Sequence, residues 1–192
     1  MKLYYSPGAC SLATRIALHE AGIAAEFERV DLRKKVTADG DDYTAINPAG
    51  SVPMLVLDDG AAITENVAIL DLLAQLDPKL AVGGPLGRTR LLEMLSFLST
   101  ELHIAFKPFW HATNEADKAA AAEAVGKRLD LLEARIVEPY LFGEGFTGAD
   151  AYLFVMLRWA MGFGVPLPPR LDGFFDRVSA RSAVQRALAE EA

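Results

Sequence analysis

Cysteine occurs once in this 192-residue chain, at position 10. A single thiol excludes an internal disulfide framework and fits a reducing, cytoplasmic compartment. The histidines, His19, His103 and His111, show no metal-ligand spacing with Cys10, so no metal site is expected. Positive charge is scarce: 19 Lys and Arg stand against 26 Asp and Glu, a formal net charge of −7. The one basic cluster, Arg33-Lys34-Lys35, is too small to bind a phosphate backbone, so neither nucleic acid nor an anionic membrane is an expected partner. No apolar run reaches the ~18 residues that span a bilayer. The most apolar stretch, Tyr152 to Trp159, is short and contains Arg158. Met1 to Tyr5 reads as a strand and not as a signal peptide. No internal repeat or low-complexity tract is present.

Apolar residues are abundant, at 52% of the chain, enough for a sizeable core. The stretch Asn47-Pro48-Ala49-Gly50-Ser51-Val52-Pro53 leads directly into an apolar run, Met54-Leu55-Val56-Leu57. Pro53 cannot donate to a sheet ladder, so it belongs at the first position of that strand or in a turn. Proline also pushes the preceding Val52 to extended geometry. The Val52 N–H and C=O would then face outward, free to pair with an extended, peptide-like ligand. Asp58-Asp59-Gly60 reads as a hairpin turn and Ala61 to Ile63 as the returning strand. Thr64 reads as a helix N-cap, with Glu65 and Asn66 in a first turn whose N–H groups and dipole favour an anion. Edge and helix mouth together would hold a small ligand with both a peptide backbone and a carboxylate. On this stretch alone, an ordinary strand–hairpin–helix unit with a structural proline is the better supported reading.

In chain order, Lys2 to Ser6 is β-prone, Pro7-Gly8-Ala9 is a turn, and Cys10-Ser11 opens a helix that Gly22 ends. Glu26 to Leu32 is a second strand, giving a β-α-β unit. Residues 33 to 46 are polar and irregular, with a turn at Asp39 to Asp42. The hairpin and a helix with a stripe of Val67, Leu70, Leu73 and Leu76 complete an α/β unit over residues 1–77. Breakers at 78–86 predict a linker, and no convincing strand follows. Leu91, Leu95, Leu98, Leu102 and Phe106 mark one face of a long helix that Pro108 should kink or end. Ala121, Val125, Leu129, Leu132 and Ile136 mark another, ended by Pro139. Thr147-Gly148-Ala149-Asp150 has capping-box spacing, with Asp for the usual Glu, before a helix apolar nearly all round. Phe146 gains little as a staple there, because its partner position holds Ala151. A proline-rich loop at 164–170 precedes closing helices at Phe174–Arg181 and Val184–Glu190. Residues 87–192 therefore read as all-helical.

Five strings in order span essentially the whole chain: Tyr5 to Ser11, Asn47 to Pro53, Thr64 to Ile69, Glu101-Leu102-His103, and Phe146 to Tyr152. Together they resemble the glutathione S-transferases, and more narrowly the bacterial beta class. The resemblance implies a thioredoxin-like N-terminal domain that binds glutathione, an all-α helical-bundle C-terminal domain, and a homodimer. It implies that Cys10 sits beside the glutathione sulfur and that Lys35 meets the glycine carboxylate. It implies that Val52 pairs with the cysteinyl backbone beside a cis Pro53, with Ser51 next to it. Glu65 and the amide of Asn66 would hold the γ-glutamyl end, and His103 would approach the thiol. Ser96 would reach across the dimer interface. Two positions depart from the pattern: Asn66 stands where serine or glycine is common, and Ile104 where a basic residue often follows the histidine.

The residues by themselves leave roles open. A thiol at a helix N-terminus is drawn toward the thiolate, but Cys10 reads equally as a small buried hydrophobe. Cys10, Ser11, Tyr5 and His103 are the candidates to assist the glutathione thiol. From spacing alone His103 is a core or interface histidine, Lys35 a solvated charge and Tyr5 a core or pocket-wall residue. Phe109, Trp110, Trp159 and Phe163 are candidate walls of an apolar acceptor pocket, although aromatics at helical spacing are more often core. The leading function is conjugation of glutathione to small apolar electrophiles, a detoxifying chemistry with glutathione as co-substrate. The alternatives are thiol–disulfide exchange or reductive dehalogenation through Cys10, and non-catalytic carriage of apolar molecules.

Overall fold

The computed structural model describes all 192 residues. Strand β1 (Lys2–Tyr5) buries Leu3, Tyr4 and Tyr5. A turn leads into helix α1 (Ser11–Ala21), which ends at Gly22 in the left-handed region, as predicted. Strand β2 (Glu26–Asp31) pairs parallel to β1. The next segment was expected to be irregular. It instead holds a two-residue strand, β3 (Val36–Thr37), antiparallel to β2, and one helical turn, α2 (Tyr43–Ile46). Asp42 caps that turn by accepting the Thr44 N–H. Elements this short carry no periodicity to read. Strand β4 (Met54–Val56) lies antiparallel to β1, and β5 (Ala62–Thr64) antiparallel to β4. The sheet order is β3-β2-β1-β4-β5, and the Val52–Pro53 peptide is cis. Helix α3 (Asn66–Leu76) follows. Thr64 is not its N-cap: it is taken up by β5, opposite Met54, and Glu65 holds the cap position.

Residues 78–86 hold a single 3₁₀ turn, Pro78–Leu80, and no strand follows. Helix α4 (Gly87–Phe97) passes through a π-helical turn (Leu98–His103) into helix α5 (Ile104–His111). The stripe from Leu91 to Phe106 is buried throughout. Pro108 lies inside α5 without ending it. Helix α6 (Glu115–Arg135) stops four residues short of Pro139. In helix α7 (Gly148–Gly162) every residue from Gly148 to Leu157 is buried. Its capping box is formed: Asp150 accepts from the Thr147 N–H at 2.7 Å and hydroxyl at 2.6 Å, and also from the Leu141 N–H at 2.8 Å. Phe146 finds its packing partner elsewhere, under the Arg181 guanidinium at 4.4 Å. Helices α8 (Pro169–Ser179) and α9 (Ser182–Glu190) close the chain, both starting earlier than predicted.

Helix α1 packs on α7 and α9, and α3 packs on α4 and α7. One cluster of 41 buried residues therefore runs through both halves, so the sheet unit and the helical unit share a core. Gly148 lets α7 approach α3 closely, since a Cβ there would lie 3.2 Å from that of Leu70. No helix is long and apolar enough to cross a membrane.

Candidate active site

Two cavities meet at Cys10, Ser51, Val52 and His103. The larger, about 790 Å³, is walled by the Ser6–Cys10 turn, Lys35 and Gly50 on one side and by Trp110, Arg158, Trp159 and Phe163 on the other. The smaller, about 310 Å³, lies between Pro53, Glu65 and Asn66 and the helical residues Ser99, Ile104, Lys107 and Tyr152.

Cys10 is the N-cap residue of α1 and points its Sγ at the Val52 carbonyl, 3.5 Å away. Burial pushes the thiol up to about 12, and the nearby Glu65 charge adds to that, while backbone hydrogen bonds at Cys10 and Ser11 oppose it. The sequence pointed to a thiolate drawn down by the helix dipole; desolvation outweighs that pull. Asn66 supplies more than a backbone amide. Its side chain donates to the Cys10 carbonyl at 2.8 Å and accepts from the Thr14 hydroxyl at 2.9 Å, tying the mouth of α3 to that of α1. The loop before Pro53 is fixed as firmly, because the Ser51 carbonyl accepts from the Tyr43 hydroxyl at 2.8 Å and the Asn47 amide at 2.9 Å.

Lys35 donates from Nζ to the Gly50 carbonyl at 2.8 Å. Gly50 sits at φ 59°, and a Cβ there would press on the Lys35 chain at 3.3 Å, so glycine keeps the lysine in the cleft. Glu65, also at positive φ (69°), is exposed in the smaller cavity. For a residue with a Cβ this conformation costs roughly 1–3 kcal/mol, and such strain clusters at ligand clamps. Neither Glu65 nor Arg158 takes part in any ion pair of the chain.

His103 ends the π turn and shares a 2.7 Å hydrogen bond between Nδ1 and the Tyr152 hydroxyl. Burial, with help from the Lys107 charge, lowers His103 to about 4, so the ring is neutral near pH 7. Burial also raises the Tyr152 phenol, so it keeps its proton to donate. Ile104 lies beside His103 in the smaller cavity, and Lys107, three residues on, lines it too.

The remaining predicted residues fall elsewhere. Tyr5 is buried against the Arg15 guanidinium at 3.9 Å and lines neither cavity. Ser11 is fully buried, and its hydroxyl closes the turn to Ser6. Ser96 is exposed on α4, outside both cavities. Trp110, Trp159 and Phe163 line the larger cavity, whereas Phe109 backs the wall, stacked on Phe163 at 4.3 Å. Tyr152, Ser99, Lys107 and Arg158 escaped the sequence reading. A hydroxyl in the apolar stretch between Asp150 and Arg158 was the one available sign of Tyr152. Gly8 is also held, at both ends of its peptide. Glu191 accepts its N–H at 2.9 Å, and the Trp159 indole N–H donates to its carbonyl at 2.9 Å.

Two family models match the chain: glutathione S-transferase, N-terminal domain, over residues 8–76, and glutathione S-transferase, C-terminal domain, over 97–182. Glutathione S-transferase GstA of Escherichia coli O157:H7 is 42% identical over 198 residues, spanning 100% of this chain and 98% of that one. A sphingomonad glutathione S-transferase, solved in complex with glutathione, superposes with a TM-score of 0.93 at 44% identity, covering 100% of this chain and 98% of the other. A bacterial beta class glutathione S-transferase from Sphingomonas chungbukensis superposes with a TM-score of 0.90 at 41% identity, covering 100% and 99%.

Proposed function

Because the chain belongs to the glutathione S-transferase family, we propose that its two joined cavities bind glutathione and present its thiol to an electrophile in the aromatic part of the larger one. The observation that carries this reading is the alignment of three anchors along one cleft. Lys35 offers a cation for the glycine carboxylate. The Val52 backbone beside cis-Pro53 offers a ladder partner for the cysteinyl residue. Glu65 offers an anion for the γ-glutamyl ammonium, and the first turn of α3 offers N–H groups for its carboxylate.

The glutathione sulfur then comes to lie near Cys10 and His103. Tyr152 donates to His103 Nδ1, which leaves the imidazole proton on Nε2 as a donor to the developing thiolate. Cys10 keeps its own proton, which faces the Val52 carbonyl. The thiol proton passes to solvent, the thiolate attacks the electrophilic carbon, and the displaced group leaves. Each pKa unit by which the site lowers the bound thiol is worth ~1.4 kcal/mol of preference for the thiolate. The protonated Cys10 favours conjugation over exchange, because only a thiolate attacks a disulfide. We also propose a homodimer using the face of α4, with Ser96 at the interface, in the reducing cytoplasm; sedimentation would report about twice the 20.8 kDa chain mass.

Immobilised glutathione should retain the protein, and Glu65→Ala should abolish retention while circular dichroism stays native. Retention by that variant would remove the γ-glutamyl anchor from the scheme. Conjugation of 1-chloro-2,4-dinitrobenzene set beside reduction of hydroxyethyl disulfide separates transfer from exchange, and activity in neither assay would leave a binding protein.

A further inference from the structure

The larger cavity is lined by two cations, Lys35 and Arg158, and by no carboxylate, in a chain whose net charge is −7. A cleft of one sign with apolar walls concentrates ligands of the opposite charge. Lys35 lies on the sheet side and is already held by the Gly50 carbonyl. Arg158 lies among the aromatics. It is the first residue of α7 after the buried run to leave the core, and the only charge in that helix besides Asp150. Helical spacing puts Gly162 one turn beyond Arg158, and Phe163 one turn beyond Trp159. The end of α7 thus puts Arg158, Trp159 and Phe163 together in the cavity lining, with Trp110 at 5.2 Å from Trp159 completing the wall. Arg158 is half-buried and makes no ion pair. Glu191, whose carboxylate feels its charge, is engaged by the Gly8 N–H and lies 3.8 Å from Arg15 instead.

We propose that Arg158 selects acceptors that carry a carboxylate on a flat, conjugated or aromatic body. The inference rests on the transferase reading and names the class of its second substrate. The rings take the body, and the guanidinium fork takes the carboxylate as a charge-assisted pair. With an aryl chloride the chemistry balances simply: the glutathione thiolate forms the C–S bond, the C–Cl bond breaks, chloride leaves with the electron pair, and the thiol proton has gone to solvent.

The test compares 4-chloro-3,5-dinitrobenzoate with neutral 1-chloro-2,4-dinitrobenzene in the full-length protein, Arg158→Gln and Arg158→Lys. The ratio of kcat/KM for the benzoate over the neutral acceptor should fall about tenfold in Arg158→Gln, mainly through KM, equivalent to about 1.4 kcal/mol. Arg158→Lys should recover part of it. A ratio unchanged by Arg158→Gln, with both acceptors slowed alike, would overturn the assignment. If the wild type conjugates neither acceptor, the transferase reading has failed separately. Quenching of tryptophan fluorescence by 3,5-dinitrobenzoate against 1,3-dinitrobenzene then decides the inference alone. Tighter binding of the anion that Arg158→Gln abolishes supports it, and equal binding of the two overturns it.

Discussion

At Cys10 two general effects compete. The N-terminus of a helix draws a thiol toward its thiolate, and removal from water pushes it back. Here burial prevails and raises the group to about 12 from 9.0. At pH 7.5 the thiol is then the favoured form of Cys10. Iodoacetamide should alkylate the ligand-free protein slowly at pH 7.5, at a rate that climbs through pH 9–11 without levelling. Oxidised glutathione should give little mixed disulfide at neutral pH by intact-mass measurement. A rate that reaches its plateau below pH 8 would restore Cys10 as an exchange nucleophile. With its folded value raised, Cys10 contributes fully to stability below pH 9.0, and that contribution is lost as pH rises toward 12.

Helix α7 carries two titrating contacts of opposite sense. At its N-terminus, burial raises Asp150 from 3.8 to about 6 against three donated hydrogen bonds. Stability from that group is complete below pH 3.8 and is lost as pH rises through 6. One turn on, Tyr152 meets His103, which is lowered from 6.5 to about 4. Stability from the histidine is complete above pH 6.5 and is lost as pH falls through 4. Between pH 6.5 and 4 the two oppose each other, so the wild type alone shows neither clearly. His103→Gln should be less stable than wild type at pH 7, and that gap should narrow on acidification to pH 4. The narrowing is bounded by about 3 kcal/mol and reduced by solvent screening of the half-buried ring. Denaturant titrations at pH 7, 5.5 and 4 measure it, and a constant gap would mean the histidine is not held neutral. These contacts also mark what the sequence let through. The capping box was legible because it is local, four residues with one spacing. The buried stripes were legible because a helix repeats them, although Leu76, the last residue of the α3 stripe, is 51% exposed. The His103–Tyr152 pair joins positions 49 apart and leaves no periodic trace. Nor do β3 and α2, which are too short to repeat anything. Val52-Pro53 was readable because proline restricts its neighbour whatever the fold, whereas Arg158 registered only as an interruption in an apolar run.

Across the whole molecule, residues from both ends of the chain set the turn that walls the larger cavity. Arg15, 1% exposed, lies between the Tyr5 ring at 3.9 Å and the Phe27 ring at 4.2 Å. Its charge is answered from α9 and the residue after it, Glu190 at 3.5 Å and Glu191 at 3.8 Å, although its Nε and one Nη have no hydrogen-bond partner. Glu191 in turn holds the Gly8 N–H, and Trp159 holds the Gly8 carbonyl. A cation this deep tolerates the loss of an anionic partner poorly, at roughly 3 kcal/mol, because desolvation persists when the attraction goes. Glu191→Ala should therefore lower the unfolding free energy by about that amount and also raise the KM for glutathione, since Gly8 at the cavity wall loses one of its two holds. The two effects have different causes and should separate. Adding Arg15→Met removes a buried charge left with Glu190 as its one carboxylate partner and fills the slot between the rings, so the double variant should regain more than half of the lost stability. It restores no acceptor for the Gly8 N–H, so the KM should stay high. If KM recovers along with stability, the glutathione site was responding only to a loosened core, and Glu191 has no role in shaping the turn.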